Sequence, residues 1–155
     1  METPSDRTES EQEQLNRQLG ELLQELRVAM PGVQVLFGFL LAAAFNQRFG
    51  EVTRFQLDVY VGTLCCAALA TAFFIAPTAY HRILFRHRDK RHLIRVSTRM
   101  TVLGLVFLAL AMTGAVLLVT DFLFGTTTTL IATGFIAAFL ALFWYVLPLS
   151  RRAAT

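Results

Sequence analysis

Residues 59–99 read VYVGTLCCAALATAFFIAPTAY and then HRILFRHRDKRHLIRVSTR. Twenty-two residues without a formal charge give way at Tyr80–His81 to nineteen that hold seven Lys or Arg, three His and one acid. An uncharged run of that length spans the ~30 Å hydrocarbon core of a bilayer as a helix, which needs about 20 mainly apolar residues. A dense basic segment directly beside such a run is the mark of a cytoplasmic loop.

Working outward, the same pattern recurs. Val28–Gln47 lies between Arg27 and Arg48 without a formal charge, and Asp121 is the one charged residue between Arg99 and Arg151. Four spans are therefore predicted, at about 28–47, 59–80, 102–120 and 130–149. The fold class is all-α, a polytopic membrane protein preceded by an amphipathic cytoplasmic helix. A hydrophobic content of 55% and a mean hydropathy of +0.53 over 155 residues place the chain well away from ordinary soluble usage.

An even number of spans puts both termini and the 81–99 loop on one side. Twelve of the fourteen Lys and Arg then share that side, with Arg48 and Arg54 on the other. The expected topology is N-in and C-in, in a bacterial inner membrane. Tyr80, Trp144 and Tyr145 fall near the boundaries, where an aromatic belt belongs. The first thirty residues, with seven acids against three bases, do not read as a cleavable signal.

Other readings of the basic segment are weaker. Phe85 is the one aromatic inside it, too few for stacking on nucleic acid, so no nucleic-acid partner is expected. His81, His87 and His92 are six and five apart, which misses the i, i+4 spacing that lets one helix face hold a metal. Attraction to anionic headgroups fits better, at roughly 1 kcal/mol per base. Arg86, Arg88, Lys90, Arg91 and Arg95 are the expected headgroup contacts.

Upstream, residues 1–8 read as a disordered acidic tail and 9–30 as a cytoplasmic helix. Leu15, Leu19, Leu22, Leu26, Ala29 and Val33 follow 4-3-4-3-4 spacing, the seam of a short coiled coil or amphipathic helix. Pro31 removes the hydrogen bond to the Arg27 carbonyl, so the chain is expected to turn at 27–32 into the first span. The helix is acidic and the inner leaflet is negative, so its seam calls for a protein surface, within its own subunit or in a partner.

Within the predicted spans no ionisable residue sits mid-membrane, which opposes a proton-coupled carrier. Cys65 and Cys66 are adjacent and point about 100° apart on a helix, so they read as inert buried thiols. Small residues recur four apart at Gly62, Cys66 and Ala70, at Gly38 and Ala42, at Ala111 and Ala115, and at Gly134 and Ala138, spacing that allows close helix packing. The chain lacks GxxxxGK[ST], GxSxG and HExxH motifs and any evident nucleophile–base pair. No catalytic residue, cofactor or metal is expected, and the chain does not read as an enzyme.

Two stretches, ELRVAMPGVQVLFGFLL (25–41) and IAPTAYHRILFR (75–86), resemble a family of small four-helix bacterial inner-membrane proteins, frequent in actinobacteria and catalogued as a domain of unknown function. The resemblance covers about residues 20–145. It implies four helices and no established activity. It also singles out Glu25, Arg27, Gln34, Tyr80, His81 and Arg82, with Pro31 and Pro77, as a polar cluster at the cytoplasmic boundary. The expected function is that of a non-catalytic, homo-oligomeric membrane protein whose cytoplasmic helix and basic loop meet lipid or a protein partner. The alternative is a small oligomeric ion channel or transporter, its pore lined by Gln34, Thr63, Thr71 and Thr113.

Overall fold

The computed structural model describes the backbone of residues 4–46, 50, 52–84, 90–147 and 150, with side chains at 13, 14, 17, 18, 20–46, 50, 52–79, 94–147 and 150. The described elements are all helical: α1 (Pro4–Ala43), α2 (Arg54–Leu84), α3 (Lys90–Leu123) and α4 (Thr126–Ala141), the last continued by a π-helical turn at Leu142–Val146. Each of the four holds a segment long and apolar enough to cross a membrane: Gly20–Ala43, Arg54–Ala79, Ile94–Leu123 and Thr126–Val146. A helix satisfies its own backbone N–H and C=O groups, which is what an apolar solvent demands.

Three boundaries differ from the sequence reading. First, α1 does not turn at 27–32. It runs unbroken through Pro31 for 40 residues, about 60 Å of helix. One missing bond at Arg27 is outweighed because Leu26 and Val33, on either side of it, are 3% and 1% exposed in one core. Second, α1 starts at Pro4, inside the tail expected to lack structure. Proline is pre-shaped for the first helical position, and Asp6 and Glu9 suit the positive end of a helix. Third, most of the 81–99 segment is helix: α2 continues to Leu84 and α3 begins at Lys90, with 85–89 outside the described residues.

The core runs along heptad-like seams, the spacing by which helices pack at shallow angles. On α2 the buried residues are Tyr60, Thr63, Ala67, Ala70, Phe74 and Pro77; on α3 they are Ser97, Gly104, Leu108 and Ala111. On α1, Leu26, Val33 and Leu40 recur every seven residues. The pairing of α2 with α3 is the most extensive, α1 lies against both, and α4 packs on α3. Trp144, from the π-helical turn, reaches the cluster formed by Leu26, Val33, Ala70, Phe74 and Leu108.

Close approach of α2 and α3 depends on two glycines. A Cβ at Gly104 would stand 2.6 Å from Cε1 of Phe74, and one at Gly114 would run into Oγ1 of Thr63. The small-residue stripes expected from spacing are used unevenly. Ala70 and Ala111 are buried, whereas Gly62, Gly38, Ala42, Gly134 and Ala138 are exposed.

The leucine seam of α1 is partly covered by its own subunit. Leu22, Leu26, Ala29 and Val33 pack on α2 and α3, while Leu15 and Leu19 fall outside the described side chains. Helical threonines spend their hydroxyl protons locally: Thr63, Thr71 and Thr113 donate to the carbonyls of Val59, Ala67 and Ala109 at 2.7, 2.9 and 2.8 Å. Such i−4 bonds leave no free donor to line a pore.

Candidate functional site

Two regions carry polar chemistry, one at each end of the bundle. At the basic end, Glu25, Arg27 and Gln34 are all exposed and, among the described residues, none of the three makes a hydrogen bond or ion pair. On a 100° helical wheel Glu25 and Arg27 flank the buried Leu26 from opposite sides, so α1 alone does not bring them together. Tyr80, His81 and Arg82 lie in the last turns of α2, with side chains outside those described. Arg95 is exposed and takes part in an interaction. The side chains of Lys90 and Arg91, and all of Arg86 and Arg88, lie outside the described residues. The one ion pair described, Arg17–Glu21 at 3.9 Å, is an exposed i, i+4 contact and contributes well under ~1 kcal/mol.

Between α2 and α3, Ser97 is 1% exposed and its hydroxyl has no hydrogen-bond partner among the described residues. Gly114 meets Thr63 and Gly104 meets Phe74. Continuing that antiparallel register places Ser97 level with residues 80 and 81 of α2.

The opposite end is better organised. Thr53 and Gln56 form a reciprocal capping box. The Thr53 N–H donates to Gln56 Oε1 at 3.0 Å, and the Gln56 N–H donates to Thr53 Oγ1 at 3.2 Å. This satisfies donors that the first turn of α2 would leave open. The same Gln56 amide donates through Nε2 to Asp121 Oδ2 of α3 at 2.8 Å. One side chain therefore starts α2 and ties it to the end of α3.

The end of α1 is held similarly. Its last turn tightens, the Ala44 N–H donating to the Leu41 carbonyl at 3.3 Å. The Leu40 carbonyl then accepts the buried Tyr60 hydroxyl at 2.7 Å. Replacing Tyr60 with Phe leaves that carbonyl without the bond and should lower unfolding stability by about 1 kcal/mol. Denaturant titration of the detergent-solubilised protein measures the loss, and unchanged stability would contradict the assignment.

Next to these contacts lies a cleft of about 540 Å³ bounded by α1, α2 and α3. Its walls are apolar, from Leu36 and Phe39 on α1 to Leu118 and Phe122 on α3, with Asn46, Gln56 and Tyr60 as its polar members. Sequence reasoning passed over this site. The T-x-x-Q pattern at 53–56 was a readable signal, but the pairing of Gln56 with Asp121 joins residues 65 apart. Among the described residues no group of three or more His, Cys, Asp or Glu is placed to hold a metal.

In comparison with known proteins, the model of a family of unknown function, DUF6328, matches residues 8–148. No curated protein and no solved structure matches the chain.

Proposed function

We propose, from the premise that the chain belongs to the DUF6328 family, that it is a non-catalytic, homo-oligomeric protein of the bacterial inner membrane, with a cytoplasmic surface that meets anionic lipid or a protein partner. The carrying observation is where the apolar surface lies. Phe39, Phe45, Leu130, Ile131 and Phe135 are 68–88% exposed, and the most apolar stretch of each span has only 11–28% of its residues buried. In water such faces would be an aggregation hazard; in lipid they are the solvated surface.

The N-in, C-in orientation is supported by the charge distribution. The part of α1 up to Arg27, the end of α2 and the start of α3 gather at one end of the bundle, and they carry eight of the fourteen bases: Arg7, Arg17, Arg27, Arg82, Lys90, Arg91, Arg95 and Arg99. The long α1 supports a role at that end. At about 60 Å it is twice the ~30 Å of a hydrocarbon core, so its acidic half overhangs the membrane beside the basic helix ends. Oligomerisation is supported by the small-residue stripes at Gly38–Ala42 and Gly134–Ala138, which one chain leaves exposed.

Single cysteines at Lys90→Cys and Thr128→Cys, in a background with Cys65 and Cys66 replaced by alanine, test the orientation. A membrane-impermeant maleimide added to intact cells should label position 128 alone, and position 90 only after the membrane is opened. Labelling of position 90 in intact cells would overturn the topology. A detergent-corrected mass equal to one 17.3 kDa chain would remove the oligomer.

A further inference from the structure

We propose that the cleft between α1, α2 and α3, at the end of the bundle opposite the basic segment, binds an amphipathic monocation. Its apolar body lies against Leu36, Phe39, Leu118 and Phe122, and its positive group lies beside Gln56 and Asp121. At about 540 Å³ the space falls within the ~300–1,000 Å³ of small-molecule sites, which combine apolar walls with a few converging polar groups.

The charge of the ligand follows from Asp121. This carboxylate is half-buried, and its one hydrogen-bond partner among the described residues is the neutral amide of Gln56. Arg54 and Asp58, the other charged side chains described at this end, are exposed, and neither forms an ion pair with it. Gln56 lines the cleft while its amide touches Asp121, so the carboxylate stands one side chain behind the wall, with no described cation to compensate its charge. A carboxylate whose described partner is a neutral amide, beside an apolar, poorly screened space, favours an opposite charge strongly. The exposed aromatic face of Phe39 favours a cation as well. A phospholipid fits less well, because its phosphate would meet the carboxylate. A second copy of the chain would bring an equal negative charge to the same place.

The test uses the full chain in phosphatidylcholine nanodiscs, with tetraphenylphosphonium as probe, tetraphenylborate as the same shape with opposite charge, and equilibrium dialysis against empty discs. Saturable binding of one phosphonium per chain, without saturable borate binding, is expected. Asp121→Asn keeps an acceptor for Gln56 and removes the charge. It should weaken phosphonium binding roughly tenfold or more at an unchanged unfolding temperature. Ala115→Phe fills the cleft and should abolish binding. If that variant does not fold, Ala43→Phe fills it from an exposed position on α1. Equal binding of the two probes, full binding by the Asn variant, or a co-purifying phospholipid that the phosphonium does not displace would each overturn the proposal.

Discussion

Replacing Gly104 with valine should destabilise the helical bundle by about 3 kcal/mol, at the upper end of what overpacking usually costs. A Cβ at this position would lie 2.6 and 2.7 Å from two ring carbons of Phe74 and 3.3 Å from Cβ of Phe73. Neither neighbour can give way cheaply. Phe74 is 0% exposed, inside the cluster that joins α1, α2 and α3, and Phe73 stacks on Phe107 with ring centroids 5.6 Å apart. Relief therefore requires α2 and α3 to separate, which forfeits the dispersion contacts that hold helices together in lipid. In a micelle the apolar surface released finds detergent rather than water, so packing is the larger part of what is lost. Gly62, where an added Cβ would meet nothing within 4 Å, is the matched control: Gly62→Val should change stability by less than about 0.5 kcal/mol. Denaturant titration of both variants in mixed micelles makes the comparison. A Gly104 variant as stable as its control would mean that α2 and α3 do not approach as described.

Truncating Gln56 to alanine should cost about 2 kcal/mol, combining a lost helix cap with a stranded carboxylate. The change removes the acceptor for the Thr53 N–H and the donor to Asp121 together. These losses share one side chain, so they need not add. A cycle with Asp121→Ala, which removes the acceptor, isolates the part carried by the α2–α3 bond. Gln56→Glu would keep the cap acceptor while setting a second negative charge against Asp121, so it should fall below the parent in stability. A Gln56→Ala protein that unfolds with the parent would show that the cap and the cross-helix bond are dispensable.

Much of the architecture was legible because it follows from solvation of single residues. Runs without charge over Val59–Tyr80 and Val102–Thr120 have one favourable environment, whatever they pack against. Helix ends were less legible. Pro31 reads as a turn when the backbone alone is considered, yet α1 passes through it because Leu26 and Val33 bury on one face. The basic segment reads as a loop from its charge, yet much of it extends α2 and α3, since Lys and Arg are good helix formers wherever water can reach them.

The packing surfaces were harder still. Four-residue spacing of small side chains singled out Gly62 and passed over Gly104, yet of the two it is Gly104 that faces an aromatic ring across the interface. In the cluster drawn from Glu25, Arg27 and Gln34, the helical wheel sets Arg27 and Gln34 on one face of α1 about two turns apart and Glu25 on the opposite face. At the far end, the cap at Thr53–Gln56 was written in four consecutive residues. Its bond to Asp121 and the hold of Tyr60 on Leu40 were not.

By itself the amino-acid order determined how many times the chain is oily enough to cross a bilayer and where its cations gather, because burying charge or exposing apolar surface is a property of each segment alone. Only the tertiary structure decided which face of each helix is inside, which glycine admits a ring, and where an open cleft remains beside the Gln56–Asp121 contact. Those depend on distances between residues far apart in the chain. In lipid, where apolar faces are all equally well solvated, shape complementarity rather than hydrophobicity chooses among them.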